Sequence, residues 1–274
     1  YPGSKIILDH VVNLEEIKKK GLFKYIKNYK INSHYGGVNE LFQAGIDLEY
    51  IRPFVGARVI SQIARAEGEK RKKLIEEHAK RINSLLKKFP KLKIYLWTSE
   101  SSGESVLKRK MFSYLLGGRS VWDTTYNIQK RLKVIFREWK KAKEDLYSKI
   151  TDPKRVINCY QWGGGVSPQA YAYHSGADML WNKCIHRQNI NLVISNVRGA
   201  AKTYEKPWGL EYDSWTGYFH FTHSPDEFEQ ILYVYFASGP NAISVYEAPC
   251  RFMLDNEWGK RWLKFCRFVR LHPI

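Results

Sequence analysis

The pattern of apolar and polar positions predicts alternating strands and helices along most of the chain. Short apolar runs predict strands, and they are followed by longer segments whose apolar residues recur every three or four positions, as on one face of a helix. Seven strands are predicted: Lys5–Val11, Ile31–Tyr35, Lys93–Glu100, Val156–Trp162, Ala177–Trp181, Lys206–Trp215 and Ala242–Pro249. Strands that alternate with helices in this way indicate a parallel sheet.

The helical segments have recognisable ends. Pro90 stops the helix that precedes it, and Ser224-Pro-Asp-Glu227 is a capping box with proline at the first helical position. The predicted helices are Asn13–Tyr29, Arg58–Phe89, Asn127–Ile150, Asn189–Tyr204, Ser224–Ser238 and Asn256–Leu271. The order of the elements predicts an α/β fold.

The number of elements and the length of 274 residues favour one (β/α)8 TIM-like barrel over residues 1–274. An open doubly wound sheet is less favoured, because no GxGxxG follows the first strand and there is no P-loop. The eighth strand is not evident. It is either Ser120–Asp123 or lies beyond the end of the sequence, so the barrel is complete or an excerpt.

Composition adds a core and a strong positive charge to this picture. The hydrophobic fraction of 44% supports a real core, and the formal net charge is +18. Most lysines and arginines fall on the predicted helices, which form the outer ring of a barrel, so a solvated surface accounts for them. Nucleic-acid binding by these helices remains an alternative, but aromatic residues crowd the strand ends instead of interleaving with the basic residues.

Cysteine and histidine spacing predicts neither a metal site nor a cofactor. The four cysteines lie far apart with no CxxC pair, so buried thiols are expected. His220 and His223 form an HxxH pair without a third ligand. No apolar run approaches the roughly 20 residues of a membrane span.

The ends of the sequence and its composition leave the setting open. The chain starts at Tyr1 without methionine and ends just after a helical pattern, which suggests an excerpt of a longer chain, and an extracellular location stays open. Lysine-rich, glutamine-poor composition is compatible with a thermophile.

Chemistry is expected where the predicted strands end, because barrel enzymes place their reactive groups there. Glu211 and Asp213 alternate onto one face of the strand at 206–215, and two carboxyl groups that close raise the pKa of one of the pair. The other polar or aromatic candidates near strand ends are Asp9, His34, Trp97, Glu100, Gln161, Trp162, Trp181, Asn182, Trp215 and Glu247. Carboxylates, amides and tryptophans suit hydroxyls and flat sugar faces, so a glycan cleft is predicted.

Cleavage of a glycosidic bond needs two carboxyl groups, one that donates a proton and one that attacks carbon or activates water. Glu211 and Glu247 are the first pair, on consecutive strands whose ends lie close, and Glu100 could replace either. One objection concerns Glu247. If Ile243 and Val245 face the helices, alternation turns Glu247 outward too, unless the strand bends before Pro249.

Several short motifs carry a family resemblance. They are Ser175-Gly-Ala-Asp-Met-Leu-Trp181, Val197-Arg-Gly-Ala-Ala201, Lys206-Pro-Trp-Gly209, Tyr235-Phe-Ala-Ser-Gly239 and Tyr246-Glu-Ala248. Together they resemble the C-terminal half of (β/α)8 glycoside hydrolases, and most of all the retaining clan that includes cellulases and β-galactosidases.

The resemblance implies a nucleophilic glutamate on a late strand, and Glu247 is the matching position. It also implies an acid/base glutamate in an Asn-Glu pair after the fourth strand. Here that pair occurs only at Asn39-Glu40 and Asn256-Glu257, in helical contexts, and the predicted fourth strand, Val156–Trp162, ends without a carboxylate. Either Glu100 or Glu211 then supplies the acid, or the chain is a carbohydrate-binding relative without catalysis.

Overall fold

Eight strands alternate with helices along the chain. The computed structural model describes residues 7–11, 18–21, 24, 33–35, 38–45, 49–52, 59–98, 128–162, 170–185, 189–213, 223–246 and 256–272. The strands are β1 (Ile7–Val11), β2 (Ser33–Tyr35), β3 (Tyr50–Arg52), β4 (Lys93–Thr98), β5 (Val156–Trp162), β6 (Met179–Ile185), β7 (Trp208–Asp213) and β8 (Ala242–Tyr246).

Several helices in the described part of the chain begin and end close to the predicted positions, whereas two short ones, Val38–Gln43 and Ala170–His174, were not predicted. The helices described are α1 (Val38–Gln43), α2 (Val59–Ala64), α3 (Gly68–Lys88), α4 (Ile128–Tyr147), α5 (Ala170–His174), α6 (Ile190–Thr203), α7 (Pro225–Ala237) and α8 (Glu257–Leu271). The predicted capping box of α7 is present: Glu227 N–H donates to Ser224 Oγ over 3.2 Å, and Ser224 N–H donates to Glu227 Oε2 over 2.7 Å.

All the strand pairs are parallel, which confirms the predicted α/β fold with a parallel sheet. The strands follow one another in chain order, and β8 pairs with β1, so the sheet is a closed barrel. The strand missing from the sequence prediction is β3, Tyr50–Arg52, which is too short to show alternation. Positions 120–123, where an eighth strand was one expectation, lie outside the described residues.

The register gives the tilt of the strands around the barrel. One row of paired Cα atoms runs through Cys184, Tyr212, Val245, His10, His34, Ile51, Ile94 and Val156. Because Cys159 pairs with Met179, residue 156 corresponds to position 176 of the β6 segment, which is eight residues before the starting point at 184. A displacement of this size is the shear of TIM barrels.

One predicted helix is two helices. Periodicity predicts a single helix over 58–89, but the structure has α2 and α3 with a break at residues 65–67. Glu67 is extended, with φ −123° and ψ 163°, and Gly68 has a φ of +52°, a conformation that glycine adopts without steric strain.

Alternation sorts the strand residues into two cores. Leu210, Tyr212, Ile243 and Val245 face outward and are buried with the helices, and Tyr212 packs edge-on against Phe228 of α7 with ring centroids 4.7 Å apart. A second, smaller cluster fills the barrel interior and consists of Tyr95, Cys159, Met179, Trp181 and Ala242, with Tyr50 and Ile157 packed against it.

Arg155, at the start of β5, bonds to the end of α3. Its guanidinium donates to the carbonyls of Leu86 at 2.8 Å, Phe89 at 3.0 Å and Leu92 at 3.2 Å, and also to that of Pro90. Leu86 belongs to the last turn of α3, where carbonyls have no partners within the helix, and the other three carbonyls follow the helix.

The cysteines in the described part of the chain, Cys159, Cys184 and Cys266, are buried, in agreement with the prediction of buried thiols, while Cys250 lies outside it. Burial raises the pKa of Cys266 well above its usual range, so this thiol stays protonated. Of the helices described, none is long and apolar enough to cross a membrane.

Candidate active site in the barrel interior

Glu211 lies inside the barrel, two residues before the end of β7. Its neighbours along the strand, Leu210 and Tyr212, face the helices, so alternation turns Glu211 inward, as predicted from the sequence. The whole residue is buried, with 0% of its surface exposed. A carboxyl group in such a place needs charged or hydrogen-bonding partners, because burying an isolated charge is very unfavourable.

Lys183 and Ser244 supply those partners from the two neighbouring strands. Lys183 on β6 and Ser244 on β8 are the Cα partners of Glu211 on either side. Lys183 Nζ lies 3.5 Å from Glu211 Oε1, and Ser244 Oγ donates a hydrogen bond to Glu211 Oε2 over 3.2 Å. We call Lys183, Glu211 and Ser244 the polar row.

An apolar floor lies one inward-facing step closer to the amino ends of the same strands. Trp181, Gly209 and Ala242 are Cα partners there, and Trp181 is fully buried. Its ring meets that of Tyr95 edge-on, with centroids 6.5 Å apart. A Cβ atom on Gly209 would lie only 2.8 Å from Trp181 Cδ2, so the absence of a side chain at 209 makes room for the indole.

The polar row has the chemical means for acid–base or nucleophilic work. As a carboxylate, Glu211 can accept a proton or attack an electrophilic carbon. The floor below excludes water from one side, and charges interact more strongly where water is excluded. The row lies near the carboxyl ends of the strands, where barrel enzymes bind their substrates.

Besides Glu211, Trp181 and Asn182, six predicted site residues lie in strands whose backbone positions are described. Asp9 on β1 is the Cα partner of Ser244. The others are paired as follows: His34 with Ile51, Trp97 with Cys159, Gln161 with Trp181, Trp162 with Asn182, and Asp213 with Ile185 and Tyr246. Glu100, Trp215 and Glu247 lie outside the described residues.

Two predicted substrate-binding residues have structural positions instead. Asn182 faces the helices, because its inward neighbours on β6 are Trp181 and Lys183, and its Nδ2 donates to the carbonyl of Val193 in α6 over 3.1 Å. Trp181 lies in the floor and offers no surface at the barrel mouth. We therefore correct both assignments and leave these residues out of the candidate site.

Lys183 and Ser244 were not predicted. The strand was expected to end at Trp181, whereas β6 continues to Ile185, so Lys183 fell beyond the predicted strand. The pattern that could have identified Lys183 is strand alternation, which places Met179, Trp181 and Lys183 on one face of β6. Ser244 sits opposite Glu211 on the next strand, a relation that only the register reveals.

The described residues do not suggest a metal centre. Within the ranges given above, no group of three or more His, Cys, Asp or Glu side chains could hold a metal ion. Of the predicted HxxH pair, only His223 is in the described part. Its Nδ1 lies 3.0 Å from the hydroxyl oxygen of Tyr212, on the helix side of β7.

Comparisons with known proteins find likeness in structure only. No family model matches the chain, and neither does any curated protein. The catalytic domain of a β-amylase from Paenibacillus polymyxa superposes with a TM-score of 0.60 at 9% identity, over 98% of this chain and 99% of that one. A GH26 β-mannanase from Bacteroides ovatus gives 0.53 at 14% identity, over 98% and 90%.

A third solved structure has a different kind of activity. A 3-keto-D-glucoside 4-epimerase from E. coli superposes with a TM-score of 0.50 at 11% identity, over 98% of this chain and 100% of that one. Identities this low show a common fold and no more. The chain therefore shares its α/β barrel fold with glycoside hydrolases of TIM-barrel-like architecture and with at least one other barrel enzyme.

Proposed function

We propose that the chain is a (β/α)8-barrel glycoside hydrolase that cleaves a poly- or oligosaccharide, with Glu211 as its ionised catalytic carboxylate. The observation that carries the proposal is the place of Glu211: inside a closed parallel barrel, near the carboxyl end of β7, beside Lys183 at 3.5 Å. A carboxylate held next to an ammonium group serves as nucleophile or base better than as proton donor. This role differs from the acid/base role expected from sequence.

Glu100 is the proton donor in this proposal. Because β3 was not predicted, Val156–Trp162 is the fifth strand, and the fourth is Lys93–Thr98. The resemblance to retaining glycosidases implies an acid/base glutamate after the fourth strand, and Glu100 follows β4 by two residues. Protonation of the leaving oxygen by one carboxyl group while the other attacks the sugar is the chemistry of a retaining enzyme.

Glu247 becomes the second choice for the nucleophile. Ile243 and Val245 do face the helices, which was the premise of the objection made from sequence. Strict alternation then turns position 247 the same way, and only a bend after Tyr246 would bring it to the interior. Glu211 needs no such bend.

The decisive test compares two buried glutamates in ion pairs. Glu211→Gln should lower kcat on a cleaved glycan by about 10² or more, as expected for removal of a catalytic acid, base or nucleophile. Glu229→Gln is the matched control, because Glu229 is also buried and paired, with Arg261 at 2.8 Å and Lys264 at 2.6 Å, but lies on α7 outside the barrel. Equal kcat values for the two variants would sink the assignment.

The roles of Glu211 and Glu100 can be separated by chemistry. If Glu211 is the nucleophile, Glu211→Ala should regain turnover with added azide, which replaces the missing carboxylate and yields a glycosyl azide of inverted configuration. Glu100→Ala should instead give an azide product of retained configuration. Hydrolysis by the unaltered chain should release sugar of the starting configuration, and NMR of the first product would reveal inversion if the retaining assignment is wrong.

One observation favours a second function, a carbohydrate-binding barrel without catalysis. Glu211 is fully buried and its charge is paired, as in a structural ion pair. In that case the unaltered chain would bind glycans and cleave none across a panel of linkages. Isothermal titration beside a reducing-sugar assay on the same glycans distinguishes the two functions.

A further inference from the structure

The outward side of α3 carries a long basic stripe. Positions three or four residues apart lie on the same side of a helix, and on the side turned away from the barrel they are Lys70, Lys73, Lys80, Arg81, Lys87 and Lys88, all exposed. Glu69, Glu76 and Glu77 are the exposed acidic residues of α3, and Glu77 Oε1 lies 4.0 Å from Lys73 Nζ within the stripe. The helix has 21 residues, so the stripe extends about 30 Å.

The neighbouring helix α4 carries a second basic stripe. Lys133, Arg137, Lys140 and Lys141 are exposed on the side opposite its buried residues Trp139, Ala142 and Leu146. Glu144 is the acidic residue among them. We call the two stripes together the basic face.

Two of the three acidic residues of α4, Glu138 and Asp145, turn into the seam between the helices, although Glu138 Oε1 also lies 3.7 Å from Nε of Arg137 in the stripe. Arg71 of α3 is 2.8 Å from Asp145 Oδ2 and 3.9 Å from Glu138 Oε2. These contacts hold α3 and α4 side by side. The same contacts use up two carboxylates that could otherwise offset the lysines of the stripes.

The opposite arrangement occurs between α7 and α8. There Arg261 pairs with Asp226 at 2.7 Å and with Glu229 at 2.8 Å, and Lys264 pairs with Glu229 at 2.6 Å. The basic residues of α8 thus meet acidic residues of α7. Among these four helices the positive charge is therefore distributed unevenly, with an excess on α3 and α4.

We infer that the basic face binds an anionic glycan, a polymer whose negative charges are sugar carboxylates or sulfate esters. The charge calls for a polyanion, and the choice of a glycan rests on the proposed function. Nucleic acid fits less well, because lysine outnumbers arginine on both stripes, whereas arginine is the residue suited to bidentate phosphate contacts. The stripe positions also offer no aromatic side chains for base stacking.

Binding of this kind would hold an acidic polysaccharide on the outside of the barrel and raise its concentration near the mouth. Bound counterions are released when a polyanion meets several lysines, so affinity should fall steeply as salt rises. The effect needs no contact with the polar row.

The test measures binding to four polymers in the Glu211→Gln background, so that no polymer is cleaved: polygalacturonate, dextran sulfate, neutral dextran and duplex DNA. One variant changes Lys80, Lys87, Lys133 and Lys141 to Gln, and its control changes Arg198, Lys202, Lys206 and Arg267, which are exposed on other helices and loops, to Gln. The first should raise the Kd for an anionic glycan about tenfold or more. The control, with the same net charge, should leave it nearly unchanged.

The outcomes separate the possibilities. Binding of polygalacturonate alone identifies uronates, binding of dextran sulfate alone identifies sulfate esters, and either supports the inference. Equal losses in both variants, tighter binding of duplex DNA than of either anionic glycan, or binding of neither anionic glycan would overturn it. Cleavage of a neutral glycan without binding at the basic face would support the proposed function and contradict the inference about the basic face. Binding at the basic face without any cleavage by the unaltered chain would support the inference and contradict the proposed function.

Discussion

The floor and the polar row occupy the same three strands and differ in almost every property. Trp181, Gly209 and Ala242 form the floor, and two residues further along each strand come Lys183, Glu211 and Ser244. The floor is apolar and tightly packed, while the row consists of an ion pair and a hydrogen bond. Two residues along each strand therefore separate the side chains that pack in the floor from the side chains that form the ion pair and the hydrogen bond.

This difference shows how the barrel places charged groups in its interior beside a tightly packed apolar layer. The floor supplies buried apolar area, and the row places its charges where each has a partner on the next strand. Changes in the floor should lower the free energy of unfolding, and changes in the row should also lower activity. Four substitutions test this contrast, beginning with the one expected to affect stability most.

Trp181→Ala should have the largest effect on stability. Removing a fully buried indole leaves a cavity between Tyr95 and Gly209, and such truncations lower the free energy of unfolding by about 3–5 kcal/mol. Denaturant unfolding measures the loss, with Trp181→Phe as the control that should lose clearly less. A loss below about 1 kcal/mol would contradict the packing described for the floor.

Lys183→Met should lower the free energy of unfolding by about 3 kcal/mol, since it leaves the Glu211 carboxylate buried without its cation. The 3.5 Å separation is longer than a charge-assisted hydrogen bond, which places the expected loss at the low end for buried pairs. Adding Glu211→Gln to Lys183→Met should recover much of the lost free energy of unfolding, because the double variant lacks both partners of the ion pair. If the two losses simply add, the residues are not coupled.

Gly209→Ala should lower the free energy of unfolding by about 2 kcal/mol, because the new Cβ would lie 2.8 Å from the Trp181 ring and the indole would have to shift. Gly199→Ala in α6 is the matched control: nothing lies within 4 Å of the place that its new Cβ atom would take, and alanine favours a helix. The control should be neutral or slightly stabilising. Thermal unfolding of both variants checks the contrast, which fails if they respond alike.

Ser244→Ala should have the smallest effect on stability. It should lower the free energy of unfolding by about 1 kcal/mol, because one hydrogen bond to Glu211 Oε2 is lost. Its value as a test is in the activity: kcat should fall several-fold, because Glu211 loses one of the groups that orient it. Ser175→Ala removes another buried serine, which donates to the carbonyl of Ala172, and should leave kcat unchanged. Equal kcat values would place Ser244 outside the catalytic machinery.

Much of the fold follows from periodicity, and its failures have local causes. Long amphipathic helices such as α4 and capped ones such as α7 were predicted closely, since their signals extend over many residues. Strand β3 was missed because three residues cannot establish alternation. The break between α2 and α3 was missed because it depends on the backbone conformation of Gly68, while its neighbours are ordinary helix formers.

The sequence predicted only those features of the candidate site that depend on a single strand. The inward direction of Glu211 follows from its own strand, but its pairing with Lys183 and Ser244 depends on the register of three strands, which no local pattern contains. Asn182 was assigned to substrate because it follows the predicted end of a strand. Its opposite orientation became evident once the strand was seen to continue to Ile185.

Arg155 links neighbouring segments that we expect to unfold together. Its guanidinium bonds to carbonyls contributed by residues 86–92, so the end of α3, the turn after it and the start of β5 share one set of hydrogen bonds. Segments that share their bonds tend to unfold together, and their amide protons then exchange with solvent at similar rates. The end of α3, the turn after it and the start of β5 should therefore exchange as one cooperative unit, which hydrogen exchange would detect.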